Sequence, residues 1–326
     1  MEQKIKVNLS FRDYEMLLSD MWAFGFVDEN GKERRNRFIN ELIRNFAVTE
    51  GLKEDRLSSL VEEALGDLGT IKERNAAKDS ILNAISLTHD GGFLNSSLPC
   101  SLSFRPSKEY ERTYSFIDAN LLKNRSESSF YRELFHHYLS LSMAEREAII
   151  FAPNVDYILE AMKKSHLLRF KIGGKPVDFA PFAMRTTKEE YMIYVIGLVD
   201  TKAVYSFHLY KLSELTLTNH GFVFSSVDKK RLEEASSSSI EYAKGDVIKA
   251  SIRLSPQGIR TFNRVWHNRP EPVLIDEDTY HFESPSYQLY NYFSRFGKEA
   301  LVLSPKPLAD KLSLFYSEAS EAYKKQ

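Results

Sequence analysis

The chain has 326 residues, about twice the length of a typical single domain, so two or three domains are expected. Its 43% hydrophobic and 27% charged residues exclude an intrinsically disordered chain. The net charge is −1, which excludes a strong overall field that would steer the molecule to a polyanion, although residues 160–212 carry nine bases against five acids. The single cysteine, Cys100, excludes an intrachain disulfide framework. The chain opens without an apolar signal segment and has no bilayer-length apolar run, so we expect a cytoplasmic protein without membrane contact.

An internal repeat is the first informative feature. Leu-Ser-Phe-Arg at 9–12 recurs at 102–105, an offset of 93 positions, and residues 36–43 resemble 128–135 at an offset of 92. Each copy predicts a short strand followed by two helices, and in the first copy alternation places Ile5, Val7, Leu9 and Phe11 on one apolar face. A lone strand leaves its backbone groups unpaired, so we expect the two copies to pair strand to strand.

This duplicated strand–helix–helix pattern resembles the ribbon-helix-helix fold, with both halves on one polypeptide as a pseudo-dimer. In that family, outward strand side chains enter the DNA major groove and the start of the second helix holds a phosphate. The resemblance implies these ribbon contacts with nucleic acid: Lys4, Lys6, Asn8, Ser10, Arg37, Ser101, Ser103 and Arg105. The alternative is a helical dimerisation scaffold that has lost such contacts.

From residue 167 to 224 the hydrophobic period falls to two. Four strand candidates, at 167–172, 177–184, 191–199 and 203–212, predict a small β-barrel. The block from Ile193 to Gly197 and the block from Tyr205 to Leu212 are similar to the WYL domain, an Sm-like or SH3-like barrel thought to bind nucleic acid or nucleotides. The resemblance implies these binding residues: Arg169, Lys171, Arg185, Tyr194, Tyr205, His208 and Lys211. Rings beside cations suit stacked single-stranded bases, whereas a barrel kept only for assembly is the alternative.

The resemblance extends to the end of the chain. A strand–helix–strand–strand–helix–strand order with a final helix is expected there, and the stretch from Phe293 to Gly297 is typical of the extension that follows WYL domains. A second nucleic-acid surface is predicted at Arg260, Arg264 and Arg295, although exposed arginines are often only solvated charges.

The predicted fold class is therefore α+β in three parts. These are a duplicated ribbon-helix-helix and helical region (1–165), a WYL β-barrel (166–235) and an α+β C-terminal domain (245–326). The sequence contains no glycine-rich phosphate loop, nucleophile elbow or His-Glu-x-x-His motif, so we expect no enzyme, no catalytic residues, no cofactor and no metal site.

This combination resembles the WYL accessory proteins of type VI-D CRISPR effectors. It implies a non-enzymatic, homodimeric regulator that binds single-stranded RNA and modulates an RNA-guided CRISPR RNA nuclease. Two alternatives stay open: a DNA-binding transcription regulator with a ligand-sensing WYL domain, and a protein-interaction scaffold. The sequence leaves open RNA against DNA, the sequence preference, the dimer interface and the partner.

Overall fold

A computed structural model of the chain describes residues 4–28, 30–66, 70–89, 100–122, 125–172, 174–187, 191–238, 247–266 and 268–324. The chain divides into two compact units, residues 1–152 and 153–326. The protein is a mixed α+β structure, and the three sheets formed by the described residues are all antiparallel.

The first unit contains two strands and a set of helices that pack against one face of them. In chain order these are β1 (Ile5–Leu9), α1 (Phe11–Ala23), α2 (Arg35–Leu65), α3 (Ile71–His89), β2 (Cys100–Phe104), a 3₁₀ turn (Lys108–Tyr110), α4 (Glu111–Phe116), a π-helical turn (Ile117–Leu121), α5 (Glu127–Ser140) and α6 (Met143–Ile150). Helix α7 (Ala152–Lys164) follows at the boundary between the units.

Strands β1 and β2 form a two-stranded antiparallel ribbon. Asn8 pairs with Ser101, and these two residues are 93 positions apart, the offset of the sequence repeat. A repeat residue that pairs with its own counterpart lies on a pseudo-twofold axis, so the strand pairing expected from the repeat is present in the structure. Leu9 and Leu102, a matched pair of the repeat, are both buried on the inner face of the ribbon.

The second helix of each copy supplies the core beneath the ribbon. The helices are α2 and α5, and positions related by the offset of 92 are buried in both. The matched pairs are Phe38 and Phe130, Ile39 and Tyr131, Leu42 and Leu134, and Ile43 and Phe135. Equal burial at equal positions means that both copies use one amphipathic helix pattern to cover the same ribbon.

The first strand is shorter than the alternation predicts. Ser10 ends it by capping α1, where its Oγ accepts a hydrogen bond from the backbone N–H of Asp13 at 3.1 Å. Phe11 therefore begins a helix and is 64% exposed, which corrects its predicted place on the buried face. Its repeat counterpart, Phe104, is still in the strand and is buried.

In the second unit, α7 is followed by a five-stranded sheet. Its strands are β3 (His166–Ile172), β4 (Lys175–Thr186), β5 (Ile193–Val199), β6 (Ala203–His208) and β7 (Thr216–Gly221), in the order β6-β5-β4-β3-β7. No ladder joins β6 to β7 in the part of the chain that the structure describes, so the predicted closed barrel is an open sheet. One reason is that β6 ends at His208, where a 3₁₀ turn (Leu209–Lys211) replaces the predicted continuation of the strand.

One face of this sheet is covered by α8 (Ser226–Ser238), which includes the start of the serine run at 236–239. The core between α8 and the sheet contains Leu232, Tyr194, Ile196 and Leu198. The sheet therefore buries the side of β5 that the WYL resemblance assigns to a ligand.

The C-terminal part of the second unit has the predicted element order. It consists of β8 (Val247–Leu254), α9 (Pro256–Arg264), β9 (Pro272–Asp276), β10 (Thr279–Pro285), α10 (Ser286–Phe293), a 3₁₀ turn (Gly297–Glu299), β11 (Ala300–Ser304) and α11 (Lys306–Lys324). The four strands run in the order β11-β8-β10-β9, and side chains of all three helices join the core on one face. Among the described helices, none combines the length and the hydropathy needed to cross a membrane.

Candidate nucleic-acid interface

The outward face of the ribbon is cationic and contains no acid. Strand alternation exposes Lys6 and Asn8 on β1 and Ser101 on β2, while Lys4 and Arg105 are exposed at the strand ends. Neither strand contains an Asp or Glu, and no carboxylate of the described residues pairs with these three cations. The register places Lys6 beside Ser103 and Asn8 beside Ser101. The face therefore offers positive charge and small hydrogen-bonding side chains together.

Side chains from the second helices hold the ribbon backbone in place. Nε of Arg132, on α5, donates to the backbone oxygen of Asn8 at 2.9 Å. Its repeat counterpart, Asn40 on α2, donates to the backbone oxygen of Arg105 at 3.0 Å, and Asn36 Oδ1 accepts from the backbone N–H of Arg105 at 2.7 Å. Each helix thus binds the strand of the other copy, which fixes the ribbon against the core.

The remaining predicted ribbon residues occupy different positions. Ser10 is half-buried, and its hydroxyl oxygen is used as the cap of α1. Ser103 is half-buried within β2. Arg37 is exposed in the first turn of α2, with its guanidinium 6.0 Å from the ring centroid of Phe26. The structure therefore gathers Lys4, Lys6, Asn8, Ser101, Ser103 and Arg105 on one ribbon and leaves Ser10 with a structural role.

Two predicted cations of the five-stranded sheet are neutralised by neighbours. Arg169 makes two hydrogen bonds to Asp178, at 2.7 and 2.9 Å, and the two residues are paired across β3 and β4. These hydrogen bonds lower the pKa of Asp178 from its ordinary value. Lys171 lies 2.9 Å from Glu214. An anionic ligand at either site competes with a carboxylate for the cation.

Three predicted residues form a line across adjacent strands. Arg185 on β4 pairs with Tyr194 on β5, which pairs with His208 on β6, so their side chains share one face. The Tyr194 and His208 rings lie 4.2 Å apart, and Tyr210 follows at 5.1 Å from His208. Lys211 Nζ is 5.5 Å from the Tyr210 ring centroid. We name these five residues the sheet cluster.

Tyr194 cannot stack on a base in this structure. It is 1% exposed and belongs to the core under α8, so its ring packs inside the protein. This corrects its assignment as a base-stacking residue. Arg185 and Lys211 are exposed, and neither has an acidic partner among the described residues. The accessible part of the sheet cluster is therefore its cations and the half-buried His208 and Tyr210.

Tyr205 lies apart from the sheet cluster. It pairs with Gly197, and the alternation of β6 places it on the opposite face from His208. Its ring is stacked on Phe207 at 5.8 Å. A Cβ at Gly197 would lie 2.1 Å from the backbone oxygen of Ala180 on the neighbouring strand β4, so only glycine fits at this position of β5.

The C-terminal candidates are exposed arginines around α9 and α10. Arg260 and Arg264 are one helical turn apart, and Arg260 bonds Gln257 Oε1 at 2.8 and 3.0 Å. Arg295 is exposed just after α10.

Sequence reasoning missed Trp266, which is 70% exposed, and the only sequence signal was a tryptophan among arginines. Within the described residues no three His, Cys, Asp or Glu side chains come together as a metal ion would require.

The structure defines a mixed α+β protein with a ribbon unit followed by two antiparallel sheets. It shares this fold along its whole length with a solved structure of a CRISPR Cas-related protein. The TM-score is 0.66 and the identity 17%, over 100% of this chain and 95% of that chain. At this identity the likeness concerns the fold alone.

A second solved structure, proteasome accessory factor B/C of Arthrobacter aurescens, aligns with a TM-score of 0.28 at 15% identity. It covers 65% of this chain and 35% of that chain, which is too weak for an argument from fold. No family model matches the sequence, and no curated protein matches it.

Proposed function

We propose that the protein is a non-enzymatic regulator that binds nucleic acid, and that the ribbon is its main contact. The observation that carries this proposal is the set of exposed cations Lys4, Lys6 and Arg105 on strands without a carboxylate. Carboxylates on the same strands would partly neutralise these cations. A face that lacks them attracts phosphates and releases their counterions on binding.

The ligand that we propose is single-stranded RNA, and the regulated activity is that of an RNA-guided CRISPR RNA nuclease. Support for the CRISPR setting comes from the full-length fold likeness to a CRISPR Cas-related protein. Arg185 and Lys211, beside the rings of His208 and Tyr210, are a second contact that suits a flexible strand. We also propose that the protein acts as a homodimer.

The second candidate is a regulator that reads duplex DNA. It is favoured by one specific observation: the outward ribbon side chains are Lys, Asn, Ser and Arg, with no ring for base stacking. A two-stranded ribbon fits the major groove, where such side chains contact base edges and phosphates.

Binding experiments separate these candidates. Labelled single-stranded RNA and duplex DNA are titrated with the full chain at several salt concentrations, and affinity is followed by fluorescence anisotropy. The RNA proposal expects tighter binding of the single strand, with log affinity falling linearly with log salt. Tighter binding of the duplex would favour the DNA candidate, and no binding of either at low salt would overturn both.

A functional assay tests the regulatory part. Target-RNA cleavage by a type VI-D effector is measured with the wild-type protein and with a Lys6→Ala, Arg105→Ala double variant. We expect the wild type to change the cleavage rate and the variant to have a smaller effect. Equal effects of both proteins would mean that the ribbon is not the regulatory contact.

A further inference from the structure

Trp266 is a large aromatic side chain that stays in solvent beside α9. It is one of two tryptophans in the chain and is 70% exposed. Single exposed apolar residues are common on protein surfaces, so the exposure alone carries no function. What distinguishes Trp266 is the positive charge around it.

Arg269 covers one face of the indole. Its guanidinium carbon lies 3.7 Å from the Trp266 ring centroid, a stacked cation–π arrangement. The same guanidinium lies 5.3 Å from the ring of Phe262, which is buried in α9, and the backbone N–H of Arg269 donates to the Trp266 oxygen at 3.2 Å. The indole is thus in contact with Arg269 on one side, and most of its surface, 70%, is exposed to solvent.

Further cations surround the end of α9. The Tyr292 hydroxyl donates to the backbone oxygen of Val265 at 2.8 Å. Burial raises the pKa of Tyr292 to about 12, while the nearby positive charges of Arg269 and Arg295 act to lower it. Arg269 contacts Phe262 and Trp266 directly, Arg295 follows Tyr292 by three residues, and the last turn of α9 carries Arg264.

These residues define a surface that combines three cations with one exposed ring. We name it the Trp266 patch: Arg264, Trp266, Arg269 and Arg295. None of its three arginines has an ion-pair partner among the described residues. The acids Glu271 and Asp276 lie toward β9, so a polyanion is expected to run over α9 and away from that strand.

We propose that Trp266 is a stacking platform for one unpaired base of a single-stranded nucleic acid, whose flanking phosphates are held by Arg264 and Arg295. This rests on the proposed nucleic-acid function and adds a binding site to it. Every base has a π face, so the site accepts a strand regardless of sequence. A duplex is a poor ligand because its bases are already stacked on each other.

Tryptophan fluorescence reports on this site directly. In the full-length Trp22→Phe variant, Trp266 is the only tryptophan, so its emission is free of interference. The probes are a uridine oligonucleotide of about eight residues, within the range of known single-strand sites, and a matched abasic oligonucleotide with the same phosphates. We expect saturable quenching by the first and little by the second. Equal quenching by both would overturn stacking.

Affinity provides an independent measurement. In a Lys6→Ala, Arg105→Ala background, which removes the ribbon contact, Trp266→Ala is expected to weaken uridine-oligonucleotide binding by about 5- to 150-fold, the contribution of one stacked base. Trp266→Phe keeps a ring and is expected to retain most of the affinity. Equal affinity of the Ala and Phe variants would overturn the platform.

The two proposals fail in different ways. If the wild type binds the oligonucleotide through Lys6 and Arg105 while Trp266 emission stays unchanged, the Trp266 patch is overturned and the ribbon function stands. If no variant binds any oligonucleotide at low salt, the proposed function fails together with the patch.

Discussion

The ribbon and the five-stranded sheet both carry cations on strands, but they differ in whether an acidic side chain pairs with those cations. In the ribbon, Lys6 and Arg105 face outward with no described carboxylate beside them. In the sheet, Arg169 and Lys171 each meet an acid, Asp178 and Glu214. The comparison teaches that the charge of a side chain indicates a phosphate contact only when its structural neighbours leave that charge available.

Substitution of Tyr194 is expected to have the largest effect, a loss of stability, because its ring is packed between the sheet and α8. We expect Tyr194→Ala to lower the free energy of unfolding by about 3–5 kcal/mol, because it removes a buried aromatic ring. Urea denaturation measures this change. The matched control is Tyr191→Ala, three residues earlier and 64% exposed, which should change stability by less than about 0.5 kcal/mol. Lost RNA affinity in a Tyr194→Ala protein of unaltered stability would instead restore its role as a stacking residue.

The ribbon cations are expected to act on binding without affecting stability. Lys6→Ala together with Arg105→Ala should weaken nucleic-acid binding by about 10- to 100-fold and make the salt slope shallower by about two, one for each lost phosphate contact. Anisotropy titrations at several salt concentrations give both quantities. Lys163→Ala, at an exposed position of α7, is the control for the general loss of charge. An unchanged slope in the double variant would contradict the ribbon contact.

The sheet cluster allows a test at equal charge. Arg185→Ala with Lys211→Ala removes two cations that have no acidic partner among the described residues, whereas Arg169→Ala with Lys171→Ala removes two paired ones. If a single strand crosses this sheet, the first double variant should weaken RNA binding about fivefold, as expected for exposed phosphate contacts, and the second should weaken it less. Equal losses would mean that only the overall field matters. A larger loss in the second pair would contradict the distinction between free and paired cations.

The smallest effect is expected at Asp178. Its pKa is lowered by the hydrogen bonds from Arg169, so the pair stabilises the fold above the unfolded pKa of about 4 and loses this contribution as the pH falls through the folded pKa. We expect Asp178→Asn to lower the urea midpoint slightly at neutral pH and to match the wild type in acid. The variant also frees Arg169, so a small gain in nucleic-acid affinity is expected. A midpoint difference that grows toward low pH would contradict this assignment.

The repeat in the sequence predicted the ribbon well, because the two duplicated strands pair with each other, and Asn8 and Ser101, which match in the repeat, are partners in the sheet. It did not predict the exposure of Phe11, since alternation continues through Ser10 while the backbone turns there into a capped helix. Strand β7 was missed because Thr216–Gly221 contains Asn, His and Gly, which favour turns. It is a strand because β3 offers it a partner.

The candidate site was harder to predict than the fold. Glu214 neutralises Lys171 from 43 positions away, and no local pattern reveals such a partner. The burial of Tyr194 depends on α8, a helix rich in serine and charged residues that lies far from β5 in the sequence. Trp266 was missed because its role depends on the arginine stacked on its ring. Composition alone does not reveal such a contact.

The pairing of Asn8 with Ser101 bears on which targets would suit the nucleic-acid contact proposed for the ribbon. Both strands of the ribbon belong to one polypeptide, so the ribbon forms at any dilution and does not depend on the meeting of two molecules. The two strands are also free to diverge, and here Lys6 corresponds to proline at position 99 while Asn8 corresponds to Ser101. A symmetric homodimeric ribbon is matched to palindromes, whereas unlike strands in one chain suit a target that lacks twofold symmetry.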